Sequence, residues 1–161
     1  MKIVVIGGTG HIGSYLIPKL VSKGHEVVCV SRRKGMVFRE HPTWKYVEHV
    51  EIDRTIEEMA GSFGEKIGKL EGEAVIDLIC FSTHSAQMMV DALFDKVGHF
   101  IHCGTMWVHG HSEGVPTRES QQRKPFGSYG IQKAAIESEL LEAYRRRGFP
   151  VTILHPGHIT G

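Results

Sequence analysis

At 161 residues, with 41% hydrophobic and 23% charged side chains, the chain has the size and composition of one globular domain with a buried core. A formal charge of +1 gives no general attraction to nucleic acid or to anionic membrane. No apolar run approaches the roughly 18 residues of a bilayer span, so small-molecule chemistry is the expectation.

The first predicted element is a strand, Ile3–Ile6, which runs into Gly7-x-x-Gly10-x-x-Gly13 and a helix, His11–Lys23. Pro18 inside that helix is expected to cost a hydrogen bond or a bend. A strand over Glu26–Val30 is followed by the basic turn Ser31-Arg32-Arg33-Lys34. Next come a strand Tyr46–Val50, a helix Ile56–Leu70, a strand Ala74–Ile79, a helix Ser85–Lys96 and a strand His99–Cys103. Gly104–Ser128 has no periodicity, and a loop of that length in a compact domain is usually functional or mobile. The last helix, Tyr129–Arg147, repeats Ile136, Leu140 and Tyr144 every fourth residue and is stopped by Gly148 and Pro150. Val151–Leu154 is the sixth strand.

These strands are almost wholly apolar and do not alternate, as expected where helices cover both faces of a parallel sheet. The βαβα order therefore predicts an α/β fold with a doubly wound parallel sheet, one domain over residues 1–161. Cys29, Cys80 and Cys103 each fall in an apolar run without a CxxC pair, which reads as three reduced thiols. The chain opens on a strand and not on the charged and apolar regions of a signal peptide, so a cytoplasmic location is expected.

The glycine loop follows a strand and opens a helix. Glycine allows backbone angles that other residues avoid, and it lets main-chain N–H groups and a helix N-terminus approach a pyrophosphate. The spacing is GxxGxxG, and a tight turn is the alternative reading. At the end of the second strand, an acidic residue would bond the ribose 2′-OH of NAD. Ser31 and Arg32 stand there instead, and a hydroxyl with a guanidinium suits a 2′-phosphate. NADP is accordingly expected ahead of NAD. In "SYGIQKAAIE", Tyr129 and Lys133 share one helix face. A nearby ammonium favours the phenolate and brings a phenol towards its working range. Thr105 stands just past a strand, where doubly wound sheets gather their ligands.

In this order the segments resemble the extended short-chain dehydrogenase/reductase family, the NAD(P)-dependent epimerase/dehydratase group. "GGTGHIG" is similar to the family's GGTGFIG loop, "GHEVVCVSRR" to its second strand, and "VIDLICFS" to its fourth. "FIHCGTMWVHG" resembles FIxxSSxxVYG, "SYGIQKAAIE" the YxxxK helix, and "ILHPGHITG" the segment ILRPGNVYG. The resemblance implies a Rossmann fold with cofactor contacts from Gly7, Thr9, Gly10, His11, Ile12 and Gly13. Further contacts are implied for Ser31 and Arg32, for Asp53 (towards the adenine) and Arg54, for Cys80 and Phe81, and for Lys133 and His155. It implies a triad in which Thr105 bonds the reacting oxygen and Tyr129 is the general acid or base. Lys133 would hold the nicotinamide ribose and lower the phenol's pKa.

The activity implied is an NAD(P)-dependent oxidoreductase or epimerase acting on a sugar nucleotide or another small hydroxyl or keto compound. A non-catalytic NAD(P)-sensing or RNA-binding regulator is the alternative, although such relatives typically lack the tyrosine or lysine kept here. His109 and His155 depart from the family's tyrosine and arginine, and with no asparagine in the chain an Asn-containing tetrad is impossible. Family members run past Gly161, so the portion forming most of the substrate pocket is expected to lie outside this sequence, and this stretch alone is a candidate for inactivity. No metal is expected, His109-x-His111 being read as loop histidines. No nucleic-acid partner is expected either, Arg145–Arg147 being a helix C-terminal charge cluster. Met88, Met89 and Leu93, read as the outer face of their helix, allow a homodimer.

Overall fold

A computed structural model describes residues 1–111 and 114–160. Six parallel strands form one sheet in the order β3-β2-β1-β4-β5-β6. They are β1 (Lys2–Ile6), β2 (Glu26–Ser31), β3 (Glu48–Glu51), β4 (Ala74–Asp77), β5 (His99–Cys103) and β6 (Val151–Leu154). Among the described residues five α-helices connect them: α1 (His11–Ser22), α2 (Arg54–Met59), α3 (Phe63–Gly68), α4 (Thr83–Leu93) and α5 (Gly127–Arg147). This is the doubly wound Rossmann arrangement expected from the strand pattern. The strand order reverses between β1 and β4, where Val5 pairs with Cys29 on one side and Ile76 on the other. At such a reversal the connections leave in opposite directions and open a crevice at the carboxyl ends of the strands.

The central strands β1, β2 and β4 are buried on both faces, which explains why they do not alternate, while the edge strands β3 and β6 are partly exposed. Val4, Ile6, Val28, Val30, Val75 and Phe100 pack with Phe63, Met89, Leu93, Ile136 and Leu140 on one face. Ile3, Val5, Val27, Cys29 and Ile76 pack with Ile17 on the other. α1 runs through Pro18 without ending. α5 ends as expected, with Gly148 in the left-handed region at φ 71° and its N–H bonded to the Tyr144 carbonyl at 2.8 Å.

Several expected boundaries shift, each for a local reason. Tyr46 does not start the third strand, because Pro42–Tyr46 forms a 3₁₀ turn capped by the His41 side chain. The expected helix Ile56–Leu70 is two helices, interrupted where Gly61 adopts φ 70°. Its start moves forward to Arg54 because Asp53 caps it, accepting from the Thr55 and Ile56 amides at 2.9 and 3.3 Å. β4 stops at Asp77, whose carboxylate accepts the Ile79 amide at 3.1 Å. Ser82 caps α4, which begins at Thr83 and ends at Leu93, short of Lys96. Within the predicted loop Gly104–Ser128, Met106–His109 is a 3₁₀ turn and α5 already begins at Gly127; Ser112 and Glu113 of that loop, and Gly161, lie outside the described residues.

Two core assignments also change. Tyr144 is exposed, and Ala143 takes the inward position beside Leu140. Met89 and Leu93 face inward into the chain's own core, so they offer no outer surface and the homodimer expectation loses that basis. Among the described residues no helix is long and apolar enough to cross a membrane.

Candidate functional site

The glycine loop sits at the crevice, between β1 and the start of α1. Gly7 adopts φ 79°, and a Cβ there would stand 2.6 Å from Ile79 Cγ2. A Cβ on Gly13 would overlap the Gly8 carbonyl, so this glycine lets α1 lie against the loop. Gly13→Ala should therefore lower unfolding free energy by at least about 1–3 kcal/mol, read in a urea melt. Gly10 is different. Its φ of −75° suits any residue, and a Cβ there would meet only the Gly7 carbonyl oxygen, at 3.4 Å. Neither backbone angle nor internal packing asks for glycine at that position. The bare main chain there leaves open space beside the N-terminus of α1, the kind of place where an anionic group can approach backbone amides.

The remaining loop residues hold a neighbouring segment. The Thr9 carbonyl accepts the Phe38 amide at 2.9 Å, and the His11 ring stacks on Phe38 at 4.4 Å. Ile12 is half-buried beside them. At the end of β2, Ser31 is buried and its hydroxyl donates to the Arg33 carbonyl at 3.0 Å. A shallow cleft there is lined by Thr9, Arg32, Arg33, Met36 and Asp53. It brings together exposed guanidinium groups from the turn after β2 and the carboxylate that caps α2.

A second, more apolar hollow beside it is lined by Val30, Ile52, Phe63, Ile79 and Phe81, with Arg54 and Ser85 among its polar groups. Arg54 is engaged inward. Its Nη1 donates to Asp77 Oδ1 and Oδ2 at 2.8 and 2.9 Å, and its Nε to Glu58 Oε1 at 2.6 Å. Burial works against the guanidinium charge, but Asp77, then Cys80 and Glu58, outweigh it and raise its pKa above the usual range.

The three expected catalytic residues converge at the carboxyl end of β5. Thr105 is buried and caps the 3₁₀ turn, with Oγ1 accepting from the Trp107 amide at 3.3 Å. Tyr129, in the first turn of α5, is 46% exposed. Lys133, one turn further on, is only 3% exposed, and its Nζ donates to the Cys80 and Cys103 carbonyls at 2.8 and 2.9 Å. The ammonium also lies 4.9 Å from the Phe81 ring centroid and 5.9 Å from that of Tyr129. Burial draws the Lys133 pKa down, against the opposing influence of Cys80, Cys103 and Asp77. The phenol does not shift as expected: burial, and then Cys103, raise the Tyr129 pKa, while a hydrogen bond with Thr105 pulls the other way.

His155 leaves β6 into a cluster of side chains. Its Nε2 lies 2.8 Å from Glu137 Oε2, and its Nδ1 lies 3.3 Å from His109 Nε2. Arg123 donates from Nη2 to Glu137 Oε1 at 2.7 Å. Glu137 and Arg123 were not expected at the site. Their only sequence signal is that Glu137 lies one helical turn beyond Lys133, on the same buried face.

A model of the NAD dependent epimerase/dehydratase family matches residues 3–161. The chain belongs to this family. Within it, the chain is similar to the UDP-glucose 4-epimerase of Streptococcus mutans, 24% identical over 100% of this chain and 53% of that protein. It is also similar to the chloroplast stem-loop binding protein of 41 kDa b of Arabidopsis thaliana, 25% identical over 99% of this chain and 42% of that protein. Among solved structures, the UDP-glucose 4-epimerase of Thermotoga maritima with UDP-glucose superposes with a TM-score of 0.78 at 25% identity, over 96% of this chain and 55% of that one. A UDP-glucuronic acid 4-epimerase from Bacillus cereus in complex with NAD shares the fold, with a TM-score of 0.77 at 20% identity over 98% of this chain and 56% of that one. The chain spans about half the length of the curated relatives it matches.

Proposed function

We propose that this chain is the coenzyme-binding part of an NAD(P)-dependent oxidoreductase or epimerase acting on a sugar nucleotide or a related small hydroxyl or keto compound. The observation that carries the reading is Gly10, a bare position at a helix N-terminus that the chain's own packing does not require. Membership of the NAD-dependent family supports the coenzyme class, and relatives named as UDP-sugar epimerases support the substrate class. Cysteines that are free, two of them buried, support a reducing compartment such as the cytoplasm.

In this reading main-chain amides at the start of α1 hold the diphosphate. Arg32, with Ser31 at the strand end, holds a 2′-phosphate and favours NADP over NAD. Bound there, the coenzyme supplies a nicotinamide that gives or accepts hydride. Thr105 donates a hydrogen bond to the reacting oxygen, and Tyr129 moves the proton at that oxygen. Lys133 holds a ribose hydroxyl with its remaining donor and stabilises the phenolate as it forms. Calorimetric titration of the folded chain with NADP and NAD tests the reading, and absence of affinity for both overturns it. Arg32→Glu should weaken NADP at least roughly tenfold more than NAD, as expected for losing a charge-assisted bond to phosphate. Equal losses for the two coenzymes would reject the 2′-phosphate assignment.

A second reading, a non-catalytic NAD(P)-sensing or RNA-binding regulator, draws support from the likeness to the Arabidopsis stem-loop binding protein. Presence of Thr105, Tyr129 and Lys133 at one strand end favours the catalytic reading. Tight, salt-sensitive binding of a stem-loop RNA by the folded chain would favour the regulator.

A further inference from the structure

A buried ion pair stands between the glycine loop and the lysine, and no reading above gives Asp77 a role. Asp77 is fully buried at the end of β4, with Arg54 on its two oxygens. Its Oδ1 also accepts the Ile79 amide at 3.1 Å. That bond shapes the turn Leu78–Cys80, and the turn faces two parts of the site. The Ile79 side chain closes against Gly7, leaving no room there for a Cβ. The Cys80 carbonyl receives the Lys133 ammonium at 2.8 Å. The far side of the pair is braced as well: Glu58 takes Arg54 Nε at 2.6 Å and the Ser85 hydroxyl at 2.8 Å. Ser85 in turn meets Ser82, the cap of α4, at 2.8 Å. Hydrogen bonds thus link Asp77, Arg54, Glu58, Ser85 and Ser82 in one chain, and the turn itself joins Asp77 to Ser82.

We infer that Asp77 is a positioning residue that sets the glycine loop and the Lys133 ammonium together, by holding the Ile79 amide. The inference rests on the proposed role of Lys133 in coenzyme binding. Its working part is the acceptor oxygen, because Arg54 compensates the carboxylate charge but does not touch the turn's main chain. Replacing a buried ion pair by apolar groups of similar size is often neutral for stability, so the two functions of Asp77 can be separated.

Two double variants of the 161-residue chain provide the test. Arg54→Met with Asp77→Asn keeps an oxygen for the Ile79 amide; Arg54→Met with Asp77→Leu has none. Circular dichroism checks the fold, carbon-13 labelling at lysine Cε follows the Lys133 ammonium, and calorimetry with NADP gives affinity. The Leu variant should move the Lys133 resonance to the position of exposed lysines and lose roughly tenfold in affinity. The Asn variant should keep the Lys133 resonance of the unaltered chain and bind NADP roughly tenfold more tightly than the Leu variant, since both share Arg54→Met. Identical behaviour of the two folded variants overturns the inference. Hydrogen exchange on the unaltered chain needs no variant: the Ile79 amide should exchange as slowly as strand amides, and exchange at loop rates also overturns it. If the unaltered chain binds no coenzyme, the proposed function fails, while the lysine resonance and the exchange rate still decide this inference.

Discussion

Between pH 7 and pH 5 the folded chain is expected to lose roughly 2 kcal/mol of stability through His102 alone. His102 lies on β5, beside the edge strand β6, opposite Asp77 of β4 and Ile153 of β6, and is fully buried. Neither ring nitrogen has a hydrogen-bond partner. Burial, and then the charge of Lys133, push its pKa down to about 4 from 6.5. The unfolded chain takes up a proton near pH 6.5 while the folded chain declines it until about pH 4. The contribution is therefore complete above the unfolded pKa and is lost as pH falls through this window, at a total of about 3 kcal/mol. His102→Leu should remove most of the slope in urea melts across that range. A smaller slope of the same sign should remain from His49 and His109, whose pKa values burial also lowers. If the Leu variant keeps the full slope, His102 is not its source.

Tyr129→Phe, made in the complete protein, should cut turnover of a sugar-nucleotide substrate by about 10²–10⁴-fold. Coenzyme affinity should stay almost unchanged, since the phenol is half-exposed and no diphosphate contact is ascribed to it. Because burial raises the phenol's pKa in this structure, activity that uses the phenolate should increase on the alkaline side. Steady-state rates across pH, with coenzyme affinity measured in parallel, check both statements. Undiminished turnover in the Phe variant would remove Tyr129 from the acid–base role.

The fold was readable because its signals are local. Apolar runs such as Ile3–Ile6 and the start of Ala74–Ile79 need no partner to be recognised, and Gly148 marks the end of α5 by its own backbone freedom. Errors fell where a side chain overrides periodicity. Asp53 starts a helix, the His41 cap and Pro42 fold a 3₁₀ turn out of an expected strand, and Gly61 divides one apolar repeat into two helices. At the site, Tyr129, Lys133 and Thr105 were readable from short spacings and strand ends. The Arg54–Asp77 pair spans 23 residues and the Glu137–His155 contact 18, and no pattern in one sequence announces a contact at such separation. The direction of the Tyr129 shift was hidden for a similar reason, since it depends on burial and on Cys103, which lies 26 residues away in the chain.

The bond from the Phe38 amide to the Thr9 carbonyl, with His11 stacked on the Phe38 ring, stitches the basic turn after β2 to the glycine loop. Redesigning that turn to swap one pyridine coenzyme for the other would consequently not be a local edit. Lengthening it, or replacing Phe38, would slacken the glycine loop as well, so under the proposed function gains in discrimination would come with weaker retention of both coenzymes.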